Sequence, residues 1–307
     1  LVDKLKNQIT PLNKHLFRAK WQQRQLRTCK ENISPKSAVL IMDYAENYVC
    51  TSQDEIQSAH WVNQAVTIHP IQAYINSSDA QGVITNKEAL VFISDDLRHD
   101  ADGVAHFTSM TYDYLSTKYG ITSVMEFSDC CAQQYRCGKS FTDISMAPLN
   151  VQHNYFEASH GKSSADGIAA TVKHAATMAV TRRQYTIADA KAFYNFCEAE
   201  LTVVGHSVFK SNAAKYTDSF RKFFFVPRDD VDRERVTHDA KTIKGTMQVH
   251  CAVGTGRPYV IKLRELTCSC DFCVNAEGEH CLYEEYVGTW RTVSIELKTP
   301  LESHSIL

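Results

Sequence analysis

The sequence predicts an α/β fold, a mixed sheet flanked by helices, with a small Cys-rich β module at its C-terminal end. Three observations predict it. Apolar, β-branched runs of strand length recur at 37–45, 63–77 and 88–96 before any helical spacing appears. Helix-spaced and strand-like segments then alternate to about residue 185. Finally, four cysteines crowd into LTCSCDFCVNAEGEHC, residues 266–281.

Taken in order, residues 1–33 read as one or two amphipathic helices, broken near Pro11 and ended by NISP. SAVLIMDYA is the first strand, NQAVTIHPIQAYINS the second and EALVFISDD the third. GVAHFTSMTYDYLSTKYG carries Phe107, Met110, Tyr114 and Leu115 on one helical side, with Gly120 as its stop. ITSVMEFSD is a fourth strand, and a helical or loop segment separates it from a short fifth, VQHNYFEASHG. SADGIAATVKHAATMAVTRR follows, rich in Ala and with a polar start suited to a helix N-terminus. Three strands in a meander, then helix, strand, strand and helix, is the order of the ribonuclease H-like topology. It is assigned to residues 34–185. Residues 186–245 read as a Thr-capped helix, an ambiguous Lys- and Phe-rich stretch and a polar linker; residues 246–307 read as the β module.

The totals narrow the function. Over 307 residues, 33 Lys and Arg stand against 35 Asp and Glu, a net charge of -2, which counts mildly against a dedicated nucleic-acid binder unless charge is segregated. Basic residues do gather in KHLFRAKWQQRQLRTCK and VFKSNAAKYTDSFRKFFF, where solvated helix faces are the plainer reading. No apolar run is long enough to span a bilayer, so no membrane partner is expected. Eleven cysteines, an odd number, with a polar helix-like start in place of a signal peptide suggest a reducing compartment. The opening Leu suggests a piece of a longer chain.

Two strands end on acids. Asp43 closes the first and Asp129 the fourth, 86 positions on. In a ribonuclease H-like sheet these strands are neighbours, so both carboxylates would arrive together. Asp166, 37 positions later, sits where the last helix of that order begins. Three carboxylates supply hard oxygen ligands for Mg²⁺ or Mn²⁺, and a pair of ions about 4 Å apart suits phosphodiester cleavage. The plain alternative is that such acids serve turns and caps. Asp95, Asp96 and His99 in ISDDLRHD follow a strand as well and compete for the role.

MDYAENYVCTSQDEIQSAHWVNQAVTIHP, FSDCCAQQYRCGKSF and FEASHGKSSADGIAATVKHAA together resemble transposase-derived proteins of animal genomes that carry a ribonuclease H-like DDE domain. The likeness covers roughly residues 1–185, and the Cys-containing tail more loosely. It implies a transposable-element ancestry, DNA recombination by cleavage and joining with two Mg²⁺ ions, a nuclear location, DNA as partner, and a homodimer. It implies no small-molecule substrate. It places Asp43, Asp129 and Asp166 in the acidic positions, His160 and Lys162 in a His-Gly-Lys, and Gln134 and Tyr135 in a Gln-Tyr. His160 and Lys162 would contact phosphate or assist proton transfer; a surface turn is their bland reading. Gln57, His60 and Trp61 are expected between the first two strands. The chain departs from the family with Cys130 after the second acid, and with Ser163, Ala169 and Ala170 where the family is richer in Gly.

Cys268, Cys270, Cys273 and Cys281, with His280 adjacent, lie within fourteen residues and can close a tetrahedral Zn²⁺ site. Cys270 and Cys273 form a CxxC, Cys281 is the third ligand, and Cys268 or His280 the fourth. Such a metal would be structural. Free, partly buried thiols are the alternative. The expectation is a DDE-type recombinase or nuclease; a catalytically inactive binding descendant and a ribonuclease H-like nuclease without strand transfer stay open.

Overall fold

The computed structural model describes residues 2–51, 64–79, 82–161, 163–202, 220–235, 240–274 and 281–298. Gln57, His60, Trp61, Lys162 and His280 lie outside them. The fold is mixed α/β and ribonuclease H-like. Its ten-stranded sheet runs in the order β10-β9-β8-β6-β5-β1-β3-β4-β7, with β2 paired to β3 off that path. The expected meander is β1-β3-β4 in the middle of that order, with β5 and β6 beyond β1. The chain divides into two compact units, one of residues 32–126 and 162–231, the other of 1–31, 127–161 and 232–307.

In the first of these, β1 (Ser37–Met42) is deeply buried, with Ala38 to Met42 at most 2% exposed. Such a continuous apolar run needs cover on both faces. It pairs antiparallel with β3 (Ala65–Asp79), which pairs antiparallel with β4 (Gly82–Ser94). The Lys36 carbonyl accepts from Thr122 and Ser123, so β5 (Ser123–Ser128) starts beside the start of β1. Both hairpin strands are longer than the sequence suggested. Pro70 lies in β3 opposite Asp43: its carbonyl accepts from the Asp43 amide at 3.4 Å and the Ile68 carbonyl from Ala45 at 3.0 Å, so a single bond is forgone just past the end of β1. β2 (Tyr48–Val49) adds a short pairing to β3.

The helices cover the sheet by alternation along β4. Val91 and Ile93 pack into the cluster holding Val172 and Ala176 of α4 (Ser164–Thr181) and Phe193 and Phe196 of α5 (Ala190–Glu200). Phe92, between them, turns the other way and stacks on Phe107 of α2 (Ala101–Tyr119) at 5.0 Å. Gly120 stops α2 in the left-handed conformation, as its position suggested. The cap of α5 is Asp189, which accepts from Ala192 at 2.7 Å, and not the expected Thr186. The Lys- and Phe-rich stretch contains an unforeseen edge strand, β7 (Phe220–Val226), parallel to β4.

In the other unit, α1 (Val2–Glu31) runs unbroken through Pro11, contrary to the expected break there. Residues 9–14 of that helix are exposed, so no packing contact has to be sacrificed to the proline. The second half is held by Gln22, which is fully buried. Its amide donates to the Tyr155 carbonyl at 2.9 Å and to Thr267 Oγ1 at 3.0 Å, and its oxygen accepts from the Thr267 amide at 3.0 Å. The strands β8 (Cys251–Gly254), β9 (Val260–Arg264) and β10 (Arg291–Ser294) continue the sheet, because β8 pairs antiparallel with β6 (Asn150–Tyr155). The segment after β5 contains α3 (Gly138–Met146), and short α6 (Asp271–Val274) and α7 (Glu284–Val287) flank the cysteines. Among the described residues, no helix is long and apolar enough to cross a membrane.

Leu40 is fully buried at the centre of β1. Leu40→Ala is expected to cost about 3 kcal/mol in urea unfolding, within the usual range for a large-to-small core change. A loss under about 1 kcal/mol would mean that this strand is not packed on both faces.

Candidate functional site

Asp43 is the first residue beyond β1 and is half-buried. Behind it Tyr44 stacks on His99 at 4.4 Å and meets His69 edge-on at 4.6 Å. Gly103 makes room for that ring, since a Cβ there would lie 2.5 Å from the Tyr44 hydroxyl. His99 Nε2 lies 2.8 Å from Asn47 Oδ1 and 3.3 Å from Thr67 Oγ1. Burial lowers the His99 pKa against the pull of Asp96 and Asp100, and burial with His99 nearby pushes His69 down to about 3. These imidazoles are therefore neutral spacers in a polar-aromatic wall. Of the rival acids, Asp96 Oδ1 accepts from the Arg98 amide at 3.2 Å in a local turn, and Asp95 Oδ1 accepts from the distant Arg228 amide at 2.7 Å.

Asp166 lies in the same unit as Asp43 and closes a capping box. Its Oδ2 accepts from the Ser163 amide at 2.8 Å, and Ser163 Oγ accepts from Ala165 at 3.2 Å. The carboxylate is exposed and works as a helix start.

Asp129 belongs to the other unit, immediately after β5. Its Oδ1 accepts from the Cys131 amide at 3.0 Å, and its carbonyl accepts from Ser128 Oγ at 2.8 Å. Ser128 has spent its proton on that carbonyl, so it accepts from His153 Nε2 at 2.8 Å. Burial holds the Asp129 carboxyl above its ordinary range, while the Cys131 amide, Arg136 and His153 pull it back. Gly161 of the His-Gly-Lys segment packs against it, and a Cβ there would stand 3.2 Å from that of Asp129. Of the Gln-Tyr pair, Tyr135 is fully buried and its carbonyl accepts from the Tyr155 hydroxyl at 3.1 Å; the Gln134 carbonyl accepts from Ser140. Deeper acids in the fold are satisfied by phenols, with Tyr112 on Glu126 at 2.6 Å and Tyr119 on Glu88 at 2.7 Å. Among the described residues, Asp129 differs from them in being met by a backbone amide and not by a phenol.

His160 stands in a turn closed by its amide on the Glu157 carbonyl at 3.0 Å, its ring 5.0 Å from that of His15. Beside it is a group that no local spacing announces. Glu157 Oε1 lies 3.1 Å from His15 Nδ1, and Oε2 lies 3.0 Å from His250 Nε2. His250 Nδ1 faces the Glu265 carbonyl at 2.9 Å and so carries a proton. Burial lowers the His250 pKa, against the pull of Glu157.

Cys268, Cys270, Cys273 and Cys281 also lie in this unit and form a cluster able to hold a metal ion, their sulfurs all within 4.8 Å of one another. Cys268 and Cys281 are 3.5 Å apart and all four are unbridged. A tetrahedral site with metal–sulfur bonds of about 2.3 Å has sulfur–sulfur edges of about 3.8 Å, so little movement is needed. The four sulfurs can supply four ligands; His280, the alternative fourth, lies outside the described residues. Trp21 of α1 donates to the Thr267 carbonyl at 2.7 Å and meets Tyr283 at 5.4 Å, which fixes the cluster's base.

A raised carboxyl pKa means that Asp129 binds its proton more tightly folded than unfolded. Its contribution to stability is complete below the unfolded value of about 3.9 and is lost as pH rises through the folded one. Asp129→Asn, neutral throughout, is therefore expected to melt above the parent at pH 7 in metal-free buffer, the gap closing below about pH 4. A lower melting temperature at pH 7 would contradict the burial argument.

No curated protein matches the chain. Residues 22–267 match the family described as a domain of unknown function, DUF8701, and the match begins at Gln22 and ends at Thr267, the two residues that hydrogen-bond to each other. It covers most of the chain and stops one residue short of Cys268; the chain belongs to that family.

Proposed function

We propose that this is a DDE-type polynucleotidyl transferase or nuclease that cleaves a phosphodiester with divalent cations and joins DNA strands. The observation that carries the reading is the strand order: β1 and β5 are neighbours in the sheet, and an aspartate follows each. Asp43 and Asp129 would hold Mg²⁺ or Mn²⁺ with Asp166 as the third carboxylate. Their donor chemistry fits a hard cation, since carboxylate oxygens are its preferred ligands. Asp129 fits it further, because burial penalises its charge and a bound cation would offset that cost. Ions held by these carboxylates would supply activation of the attacking hydroxyl and stabilisation of the leaving oxygen. His160 and Lys162 would serve as phosphate or proton contacts beside the acids. DNA is the partner this chemistry requires, in the nucleus, and the family resemblance adds a homodimer.

One observation favours a second reading, a non-catalytic DNA- or protein-binding descendant. Asp166 already satisfies the Ser163 amide in its own capping box. Intact acids without cleavage would be the mark of that descendant.

The cysteine cluster is proposed to hold structural Zn²⁺. Four sulfurs leave no open coordination position, which suits a staple and not a catalyst. The small core around it, Leu266, Cys268 and Val287, gains from a metal cross-link what it lacks in apolar bulk.

The test is a Mg²⁺-dependent nicking assay on single-stranded, duplex and hybrid substrates. The parent is expected to cleave duplex DNA and Asp129→Ala to lose at least about 100-fold, as for removal of a group that stabilises the transition state. Equal cleavage by both proteins would remove this site as the source. Cleavage confined to hybrids would leave a nuclease without strand transfer.

A further inference from the structure

The cysteine cluster has a neighbour whose burial demands an explanation. Arg264 ends β9 and is only 2% exposed. Its Nε donates to the Gly288 carbonyl at 2.7 Å, and its guanidinium lies over the Trp290 ring at 5.2 Å. Nη1 points at Cys273 Sγ, 3.5 Å away, Cys281 also faces the guanidinium, and Nη2 is buried without a hydrogen bond of its own. Among the described residues no carboxylate pairs with it. A guanidinium does not give up its proton, and a buried charge is tolerated only when it is paired. Neutral thiols are weak acceptors and cannot serve. Four thiolates around a divalent cation carry a net charge of about -2 and can.

We propose that Arg264 is the built-in counter-ion of the metal-loaded quartet. It neutralises part of the charge of the tetrathiolate centre and hydrogen-bonds the Cys273 sulfur in particular. The proposal rests on the zinc reading above and adds a role to a residue outside the ligand set. Arg264 does not touch the metal. It is a positioning residue that sets how tightly the ion is held and how exposed the Cys273 thiolate is to electrophiles. Its planar fork matters, because Nε must reach the Gly288 carbonyl while Nη1 reaches sulfur.

The experiment uses the full chain loaded with Co²⁺ and then Zn²⁺. The parent is expected to show the visible bands of tetrahedral thiolate-bound Co²⁺. Arg264→Gln is expected to hold Zn²⁺ about 10- to 100-fold more weakly against a chromophoric chelator, the usual effect of losing an outer-shell partner. In the Zn²⁺-loaded form, mass spectrometry should find alkylation accelerated at Cys273 and much less at Cys268. Arg264→Lys, which keeps the charge and loses the fork, is expected to fall between the two, and decides the matter if the Gln variant does not fold. Parent protein without the Co²⁺ bands would overturn the metal reading and this role with it. Bands in the parent with unchanged affinity and alkylation in the variants would overturn the role of Arg264 alone. Equal acceleration at all four cysteines would also overturn it, since that is the signature of general loosening.

Discussion

The need to bury β1 on both faces is the constraint on which the rest of residues 32–126 and 162–231 depends. Five consecutive residues, Ala38 to Met42, are almost completely hidden. Strands must flank them and helices must cover both sides, which fixes the hairpin of β3 and β4, the place of β5, and the division of helices between α2 on one face and α4 with α5 on the other. The chain can become polar again only at the strand's end, and Asp43 is where it does so. Pro70 marks the same boundary from the partner strand.

The other unit solves a different problem. Its helix, its share of the sheet and its cysteine-bearing tail come from three separated stretches of sequence, too small individually to make a core. Gln22 ties them by hydrogen bonds to Tyr155 and Thr267, in a place from which water is excluded. The family match begins and ends on that pair of residues. The cysteines lie just past it, and a metal there would act as an added staple on a tail already joined to the sheet.

What was legible in the sequence follows the range of the interactions. The five inner strands announce themselves through apolar runs, and the acids at their ends through position. The cysteine cluster is legible because its ligands are local. Pairing of β6 with β8 is not, because nothing in either strand names a partner so distant along the chain. FRKFFFV hides β7 because cationic residues interrupt its pattern, and the Lys222 ammonium lies over the Phe224 ring at 5.8 Å. Pro11 misled for a physical reason: a proline breaks a helix through lost bonds and clashes, and an exposed, unpacked turn tolerates both better than a buried one. Glu157 with His15 and His250, and Arg264 beside the cysteines, are products of folding alone.

The most direct test of the central claim is Mn²⁺ binding followed by electron paramagnetic resonance in protein whose cysteine cluster is already filled with Zn²⁺. If the aspartates after β1 and β5 share a cation, the parent will take up Mn²⁺, while Asp43→Ala and Asp129→Ala each lose that uptake without shedding zinc. Undiminished Mn²⁺ binding in either variant would contradict the account, leaving Asp43 and Asp129 as ordinary ends of strands.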